Sequence, residues 1–119
     1  MLTLPPSTRV FVATGPTDMR RSFDGLMGIV RDFLGHDPFT GHLFVFRNRR
    51  GDRLKILWWD RDGLALFYKR LEEGNFALPI PADDATPVEL SGADLQLILH
   101  GIDPSQAKRS KRYRRPHLT

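Results

Sequence analysis

The 119-residue chain contains no cysteine. This absence excludes disulfide bonds, thiolate nucleophiles and zinc sites built on cysteine. The sequence also lacks any run of about 18 apolar residues, the length that a transmembrane helix needs. Residues 1–6 have neither the basic start nor the apolar stretch of a secretory signal. We therefore expect a cytoplasmic protein that has no membrane partner.

Signatures of catalysis are equally scarce. The four histidines show no paired metal-ligand spacing, no serine stands in a glycine elbow, and no glycine-rich phosphate-binding motif is present. The acids Asp60, Asp62, Glu72 and Glu73 invite comparison with a two-metal nuclease. They lie in or beside tight turns, however, so structural use is favoured. The sequence predicts no enzyme, metal or cofactor, with a small metal-dependent nuclease as the weaker alternative.

The formal net charge of +4 is distributed unevenly along the chain. Residues 1–103 hold twelve Lys or Arg and all fourteen acids, so the positive excess lies in residues 104–119. We expect one domain over residues 1–103, with residues 1–6 flexible, and a disordered basic tail over residues 104–119.

Basic tails of this kind typically bind nucleic acid, and an aromatic ring among the cations can stack on a base. The tail residues predicted to make such contacts are Lys108, Arg109, Lys111, Arg112, Tyr113, Arg114 and Arg115. The alternative is a tail that serves solubility or degradation.

The pattern of apolar residues predicts an α+β domain. Four apolar runs are typical of strands, at residues 9–13, 43–46, 54–59 and 64–67. The last three form a small antiparallel meander, because the polar loops between them carry Gly51 and Gly63, which can take the positive φ of hairpin turns. The run at residues 88–90 predicts either an edge strand or an extended arm.

Two helices are predicted to pack against this sheet. From Asp18 onward, apolar residues recur at helical spacing, with Thr17 as the cap and Gly35 as the stop. A second, shorter helix follows its cap Ser91 and ends at Gly101.

The first hairpin loop is a candidate site for nucleic acid. Residues 47–70 carry eight Lys or Arg against three acids, and this excess favours a polyanionic partner. At the projecting loop, Arg47, Arg49 and Arg50 could grip phosphates or guanine edges. A merely solvated loop is the alternative.

The middle strand of the meander supplies a second candidate surface. Alternation places Arg53, Lys55 and Trp59 on one face, where the ring could stack on a base among cations. Arg61 follows in the next turn. The alternative is that Trp59 covers a second small core beneath the loop of residues 76–90.

Two further arginines, Arg20 and Arg21, lie near the start of the first predicted helix. They could reach the same ligand as the hairpin. Ion pairing with Asp24, one helical turn on, is the favoured role.

Three blocks of the sequence resemble one known family. They read TDMRRSFDGL at residues 17–26, FVFRNRRGDRLKILWWDRDGLALFYKRLEEGNF at residues 44–76 and LSGADLQLILHGID at residues 90–103. In this order they are similar to the small accessory protein known as TnpB, or Orf two, of insertion sequences of the sixty-six type. The resemblance implies a bacterial mobile-element protein that is encoded beside a larger DDE transposase and is needed for transposition.

These features together predict a non-catalytic accessory protein of transposition. Its basic hairpin and tail would bind DNA, with the element ends as the expected target, and its body would meet the transposase. The competing prediction is a protein adaptor for the transposase that does not touch DNA. RNA presents phosphates and stacking faces as well, so residue types alone do not choose between DNA and RNA.

Overall fold

The computed structural model describes residues 5–79, 88–105 and 108–109, which form two helices and seven strands. The helices are α1 (Phe23–Asp32) and α2 (Gly92–Leu99). The strands are β1 (Val10–Val12), β2 (Leu43–Arg47), β3 (Arg53–Asp60), β4 (Gly63–Arg70), β5 (Val88–Leu90), β6 (Ile102–Asp103) and β7 (Lys108–Arg109). The predicted α+β class is confirmed.

Strands β1 to β5 form one sheet in the order β4-β3-β2-β1-β5. The predicted antiparallel meander is present as β2, β3 and β4. In contrast, β1 runs parallel to β2, with Val10 opposite Leu43, and pairs antiparallel with β5 on its other side. The sheet is therefore mixed and not wholly antiparallel as expected, because α1 carries the chain back between β1 and β2, as a parallel pair requires.

The two helices cover opposite faces of the sheet. The α1 face buries Phe11, Ala13, Leu26, Val30, Phe44, Phe46 and Leu57. The α2 face buries Val10, Val12, Leu43, Val45, Leu54, Ile56, Leu71, Phe76, Leu78, Leu95, Ile98 and Leu99. Because both faces are buried, the central strands consist of continuous apolar runs instead of alternating ones.

The first helix begins at Phe23 instead of Asp18. Lys55 reaches from the sheet to the preceding segment, and its Nζ donates hydrogen bonds of 2.7 Å to the carbonyl oxygens of Met19 and Arg21. In a helix these carbonyls would accept backbone N–H groups four residues on. The side chain of a sheet residue thus replaces the first turn of the predicted helix.

The helix ends follow the prediction in part. Ser91 caps α2, and its Oγ accepts the N–H group three residues on at 3.0 Å. At α1 the residue before the helix is Ser22, whose side chain makes no capping bond, while the predicted cap Thr17 is buried in the segment before it. Gly35 follows α1 with a φ of 68°, as expected for the residue that stops the helix.

The two hairpin turns differ in which residue adopts positive φ. Gly51 does so in the first turn, at 75°, as predicted. In the second turn Arg61 has a φ of 56°, and Gly63, the predicted residue, is the first residue of β4 opposite Asp60. Because the ladder closes at that pair, only two residues remain for the loop, and the left-handed position falls before the glycine.

The end of the described chain forms a second, two-stranded sheet. Ile102 pairs with Arg109 and Asp103 with Lys108. The rest of the predicted tail, at residues 106–107 and 110–119, lies outside the described residues, as do residues 1–4 and 80–87.

Candidate nucleic-acid interface

A groove of about 650 Å³ opens between the segment that precedes α1 and the loop that joins β2 to β3. We call it the arginine groove. Its lining residues are Pro16, Thr17, Asp18, Met19, Arg20, Asn48, Arg49, Arg50, Asp52 and Arg53. The structure thus brings a segment from the first quarter of the chain to the hairpin loop singled out by its arginines.

The hairpin wall of the groove is held by two asparagines. Asn48 Nδ2 donates to the carboxylate of Asp52 at 2.7 Å, and its Oδ1 accepts the N–H of Arg53 at 3.0 Å. From beyond β4, Asn75 Nδ2 donates to the carbonyl oxygen of Arg50 at 2.7 Å. The loop backbone is therefore fixed before any ligand arrives, which lowers the entropic cost of binding.

The opposite wall is held by the sheet itself. The N–H of Thr17 donates to the carbonyl oxygen of Arg47 at 2.7 Å, and Thr17 is buried. The next residues are fixed by Lys55, which is only 5% exposed and binds two carbonyls of this segment. The ring of Tyr68 lies 4.6 Å from its ammonium, a cation–π contact. Both walls of the groove therefore depend on strands of the same sheet.

The groove is positively charged. Its ionisable side chains are Arg20, Arg49, Arg50, Arg53, Asp18 and Asp52. Hydrogen bonds from Arg20, with Nη2 2.7 Å from Asp18 Oδ2, lower the pKa of Asp18 to about 2. The hydrogen bond from Asn48 and the nearby arginines lower the pKa of Asp52. At neutral pH both acids are ionised, and the four arginines leave a positive excess.

Of the four hairpin arginines predicted to contact nucleic acid, three line the groove and one does not. Arg49 and Arg50 are exposed and line the groove. Arg53 lines it while half-buried, and its Nη1 donates to the hydroxyl of Tyr68 at 3.1 Å. Arg47 is not among the lining residues, because its Nη2 turns back to the carbonyl oxygen of Thr14 at 3.1 Å.

The other predicted residues of the meander lie elsewhere. The ammonium of Lys55 is engaged inside the protein, as described above, so it is not presented to a ligand. Trp59 and Arg61 lie at the far end of β3, about 20 Å from the groove at a rise of about 3.3 Å per residue. Trp59 is half-buried, and its ring meets Phe39 edge-on at 5.3 Å. Phe39 belongs to the loop before β2, so this loop covers part of the Trp59 ring.

The predicted basic tail is only partly described. Lys108 and Arg109 form β7, and their backbone pairs with β6. The remaining predicted contacts, Lys111, Arg112, Tyr113, Arg114 and Arg115, lie outside the described residues. These tail contacts remain predictions.

Arg20 is the groove residue that sequence reasoning assigned elsewhere. Its guanidinium pairs with Asp18, two residues earlier, and not with Asp24 as expected. The side chain of Arg20 is 92% exposed beside Arg49 and Arg50 in the groove. The Asp-x-Arg spacing is the sequence signal for this pair, whereas a helix that began at Asp18 would place Asp24 one turn from Arg20.

Two negative findings apply to the described residues. No three His, Asp or Glu side chains in ranges 5–79 and 88–105 approach closely enough to hold a metal ion. In the same part of the chain, neither helix has the length and apolar character to cross a membrane.

The mixed sheet, the helix on each of its faces and the arginine groove define a small α+β protein with a basic, preorganised surface groove. The chain belongs to the IS66 Orf2-like family, since the family model described as IS66 Orf2 like protein matches residues 8–109. This membership makes it an accessory protein of insertion sequences, as the sequence resemblance implied.

Two relatives from Sinorhizobium fredii show the same relationship. The uncharacterized protein y4jC is 41% identical over 108 residues, which cover 91% of this chain and 90% of the relative. The uncharacterized protein y4hO is 44% identical over 103 residues, which cover 87% and 88% of the two chains. No solved structure matches the chain significantly.

Proposed function

We propose that this chain is a non-catalytic DNA-binding factor that assists a separate transposase. The single observation that supports the proposal most is the arginine groove, in which four guanidinium groups line two walls held by the sheet. Arginine matches phosphate bidentately, and a fixed array of arginines suits the regularly spaced phosphates of a duplex. The predicted basic tail would add affinity that is independent of sequence.

The positions of the four groove arginines suggest different roles for them in DNA binding. Arg49 and Arg50 are exposed at the loop, while Arg53 is braced by Tyr68 and Arg20 is held beside the loop by Asp18. Arg49 and Arg50 on the projecting loop can follow the phosphate backbone. Arg53 and Arg20, each held by a hydrogen bond to a neighbouring side chain, would fix its position. The groove therefore accounts for affinity and position, and the transposase would supply the chemistry.

The test is fluorescence anisotropy of labelled duplex DNA across a salt series with the full chain. We expect Arg50→Ala to weaken binding and to reduce the slope of log affinity against log salt by about 0.9 if one phosphate contact is lost. Arg31→Ala is the matched control, because it removes the same charge from the exposed last turn of α1. A wild-type chain that fails to bind at moderate salt contradicts the proposal, as does an equal effect of the two substitutions.

The tail requires its own variant. Replacing Lys111, Arg112, Arg114 and Arg115 by Ser keeps the chain length and removes only charge. We expect a lower salt slope on any duplex. A preference for an element end over a scrambled duplex that survives this change would assign sequence reading to the folded body.

A protein adaptor without DNA contact is the second candidate, and one observation favours it. Phe33, just after α1, is 80% exposed. It borders an open cavity of about 460 Å³ whose apolar lining includes Ile29 and Leu34. Exposed apolar surface of this kind is typical of protein contacts. Co-purification with the transposase that survives nuclease treatment and is lost in Phe33→Ser would favour the adaptor.

A further inference from the structure

Strand β4 forms one edge of the five-stranded sheet, and none of the described residues pairs with its outer side. Its ladder to β3 runs without a bulge from the Arg53–Arg70 pair to the Asp60–Gly63 pair, and the strand contains no Pro. The opposite edge, β5, has three residues against eight in β4. Long and regular edges are templates for another strand, and monomers usually interrupt them with bulges, Pro or short strands.

The side chains of β4 are incompletely covered on both faces. Residues 63–67 are half-buried, whereas the first four residues of β2 are buried. Leu64 and Leu66 pack against the α1-face core and Phe67 against the α2-face core, and Tyr68 is 46% exposed. Both faces of the sheet are thus apolar up to this edge, so an added strand would extend two cores at once.

We propose that the added strand is β4 of a second copy of this chain, paired antiparallel about a two-fold axis at Leu66. This register places Leu64 opposite Tyr68 of the second copy and Ala65 opposite Phe67. A smaller side chain meets a larger ring in both pairs, which is the complementarity that stabilises cross-strand neighbours. The contact uses the same patch on both copies, as a two-fold interface requires.

Charge selects this register over its neighbours. It sets Asp62 opposite Arg70 of the second copy. Among residues 61–70, a slip of two residues is the smallest that keeps every side chain on its own face. It sets Arg61 opposite Lys69 in one direction and Leu64 opposite Arg70 in the other, so neither slipped register keeps the Asp62–Arg70 pair. Like charges directly opposite destabilise a strand pair. Within its own chain Arg70 binds Glu72 at 2.9 Å, and both side chains stay 57% exposed, so Arg70 remains accessible to Asp62.

The resulting dimer has one continuous sheet of ten strands. Antiparallel pairing places the two arginine grooves at opposite ends of that sheet, since each groove lies at the Arg53–Arg70 end of its own hairpin. The dimer does not depend on DNA binding, and its test needs no nucleic acid.

The first test is analytical ultracentrifugation of the full chain over a range that reaches about 200 µM. An eight-residue edge buries less surface than a standard interface, so we expect a dissociation constant in the micromolar range, roughly 1 to 100 µM. Asp62→Lys should weaken the dimer at least about tenfold by creating like charges opposite Arg70. The double variant Asp62→Lys, Arg70→Asp should restore it. Circular dichroism of each variant checks that the hairpin is folded.

The second test reads the register directly. Because the chain contains no cysteine, a single introduced cysteine can crosslink only to its counterpart. Leu66→Cys lies on the two-fold axis, within disulfide reach of the second copy. Leu64→Cys is the matched control on the same strand and face, and its counterpart lies about 13 Å away, at a rise of about 3.3 Å per residue.

We expect oxidation to crosslink Leu66→Cys into a covalent dimer on a non-reducing gel and to leave Leu64→Cys without a crosslink. A chain that stays monomeric at every concentration overturns the proposal. So does a dimer in which Leu64→Cys crosslinks as readily as Leu66→Cys.

Discussion

The Nζ atom of Lys55 lies 2.7 Å from the carbonyl oxygen of Arg21, so a residue of the central sheet holds the entry to the first helix. A second bond of 2.7 Å joins the same ammonium to Met19. A buried ammonium requires such partners, because an unpaired charge there would be costly. Lys55 therefore positions one wall of the arginine groove, although strand alternation had marked it as a DNA contact.

Removing this ammonium should destabilise the protein. We expect Lys55→Met to lower the free energy of unfolding by about 2 to 3 kcal/mol, because two partly buried hydrogen bonds to carbonyl oxygens lose their charged donor. Lys69→Met, on the exposed end of β4, should change it by less than about 0.5 kcal/mol. Urea unfolding followed by circular dichroism measures both. Equal effects would show that the two carbonyl bonds contribute nothing.

The Asp18 carboxylate should titrate at unusually low pH. Its pKa is about 2 in the folded chain because Arg20 donates to it, against about 3.9 for an ordinary Asp. A depressed pKa stabilises the fold above the unfolded value, and this contribution is lost as pH falls from about 4 to about 2. Carboxyl NMR titration of Asp18 measures the value directly. Arg20→Gln should return it toward the ordinary range, and an unchanged pKa would exclude Arg20 as the cause.

Introducing a glycine in the second hairpin turn should raise the stability of the protein, whereas removing the glycine of the first turn should lower it. Arg61 holds a φ of 56°, a left-handed conformation that glycine adopts without strain, so Arg61→Gly should raise the free energy of unfolding by up to about 1 kcal/mol. Gly51 holds a φ of 75°, so Gly51→Ala should lower it by about 1 kcal/mol or more. Thermal unfolding of both variants tests the pair. A loss of stability in Arg61→Gly would contradict the assigned turn.

The two serines that precede the helices should not be equivalent. Ser91 caps α2 through a bond of 3.0 Å to the N–H of Asp94, so Ser91→Ala should cost about 1 kcal/mol. Ser22 precedes α1 without such a bond, so Ser22→Ala should cost only a few tenths of a kcal/mol, about 0.3. Chemical denaturation of both proteins provides the comparison. Similar losses would mean that the Ser91 bond does not stabilise the helix.

Local patterns were sufficient to predict most elements of the fold. The meander, the short strand β5 and the Ser91 cap all follow from features a few residues long, namely apolar runs, loop glycines and a hydroxyl before a helical pattern. The parallel pairing of β1 with β2 does not follow from such features. It depends on α1 crossing one face of the sheet, and a single strand pattern does not record the direction of its neighbour.

The candidate site was predictable only on its hairpin side. Three arginines in four residues identified the loop, and the structure places Arg49 and Arg50 in the groove. The opposite wall could not be predicted, because Lys55 fixes it through contacts between residues far apart in the chain. The sequence pattern of a strand does not show whether the face that carries a lysine is open to solvent. Here that face is covered by Tyr68 and the segment before α1.

The central position of β1 has a consequence for synthesis of the protein. This strand is held between β2, from the middle of the chain, and β5, from its last third, and α2 follows β5. During translation the ribosome releases β5 and α2 late, so the α2 face of the nascent sheet, including Val10 and Val45, has no helix over it until then. A reading frame interrupted before residue 88 therefore yields a product that lacks β5 and α2 and exposes one apolar face of its sheet. We expect such a product to be bound by chaperones or degraded by proteases.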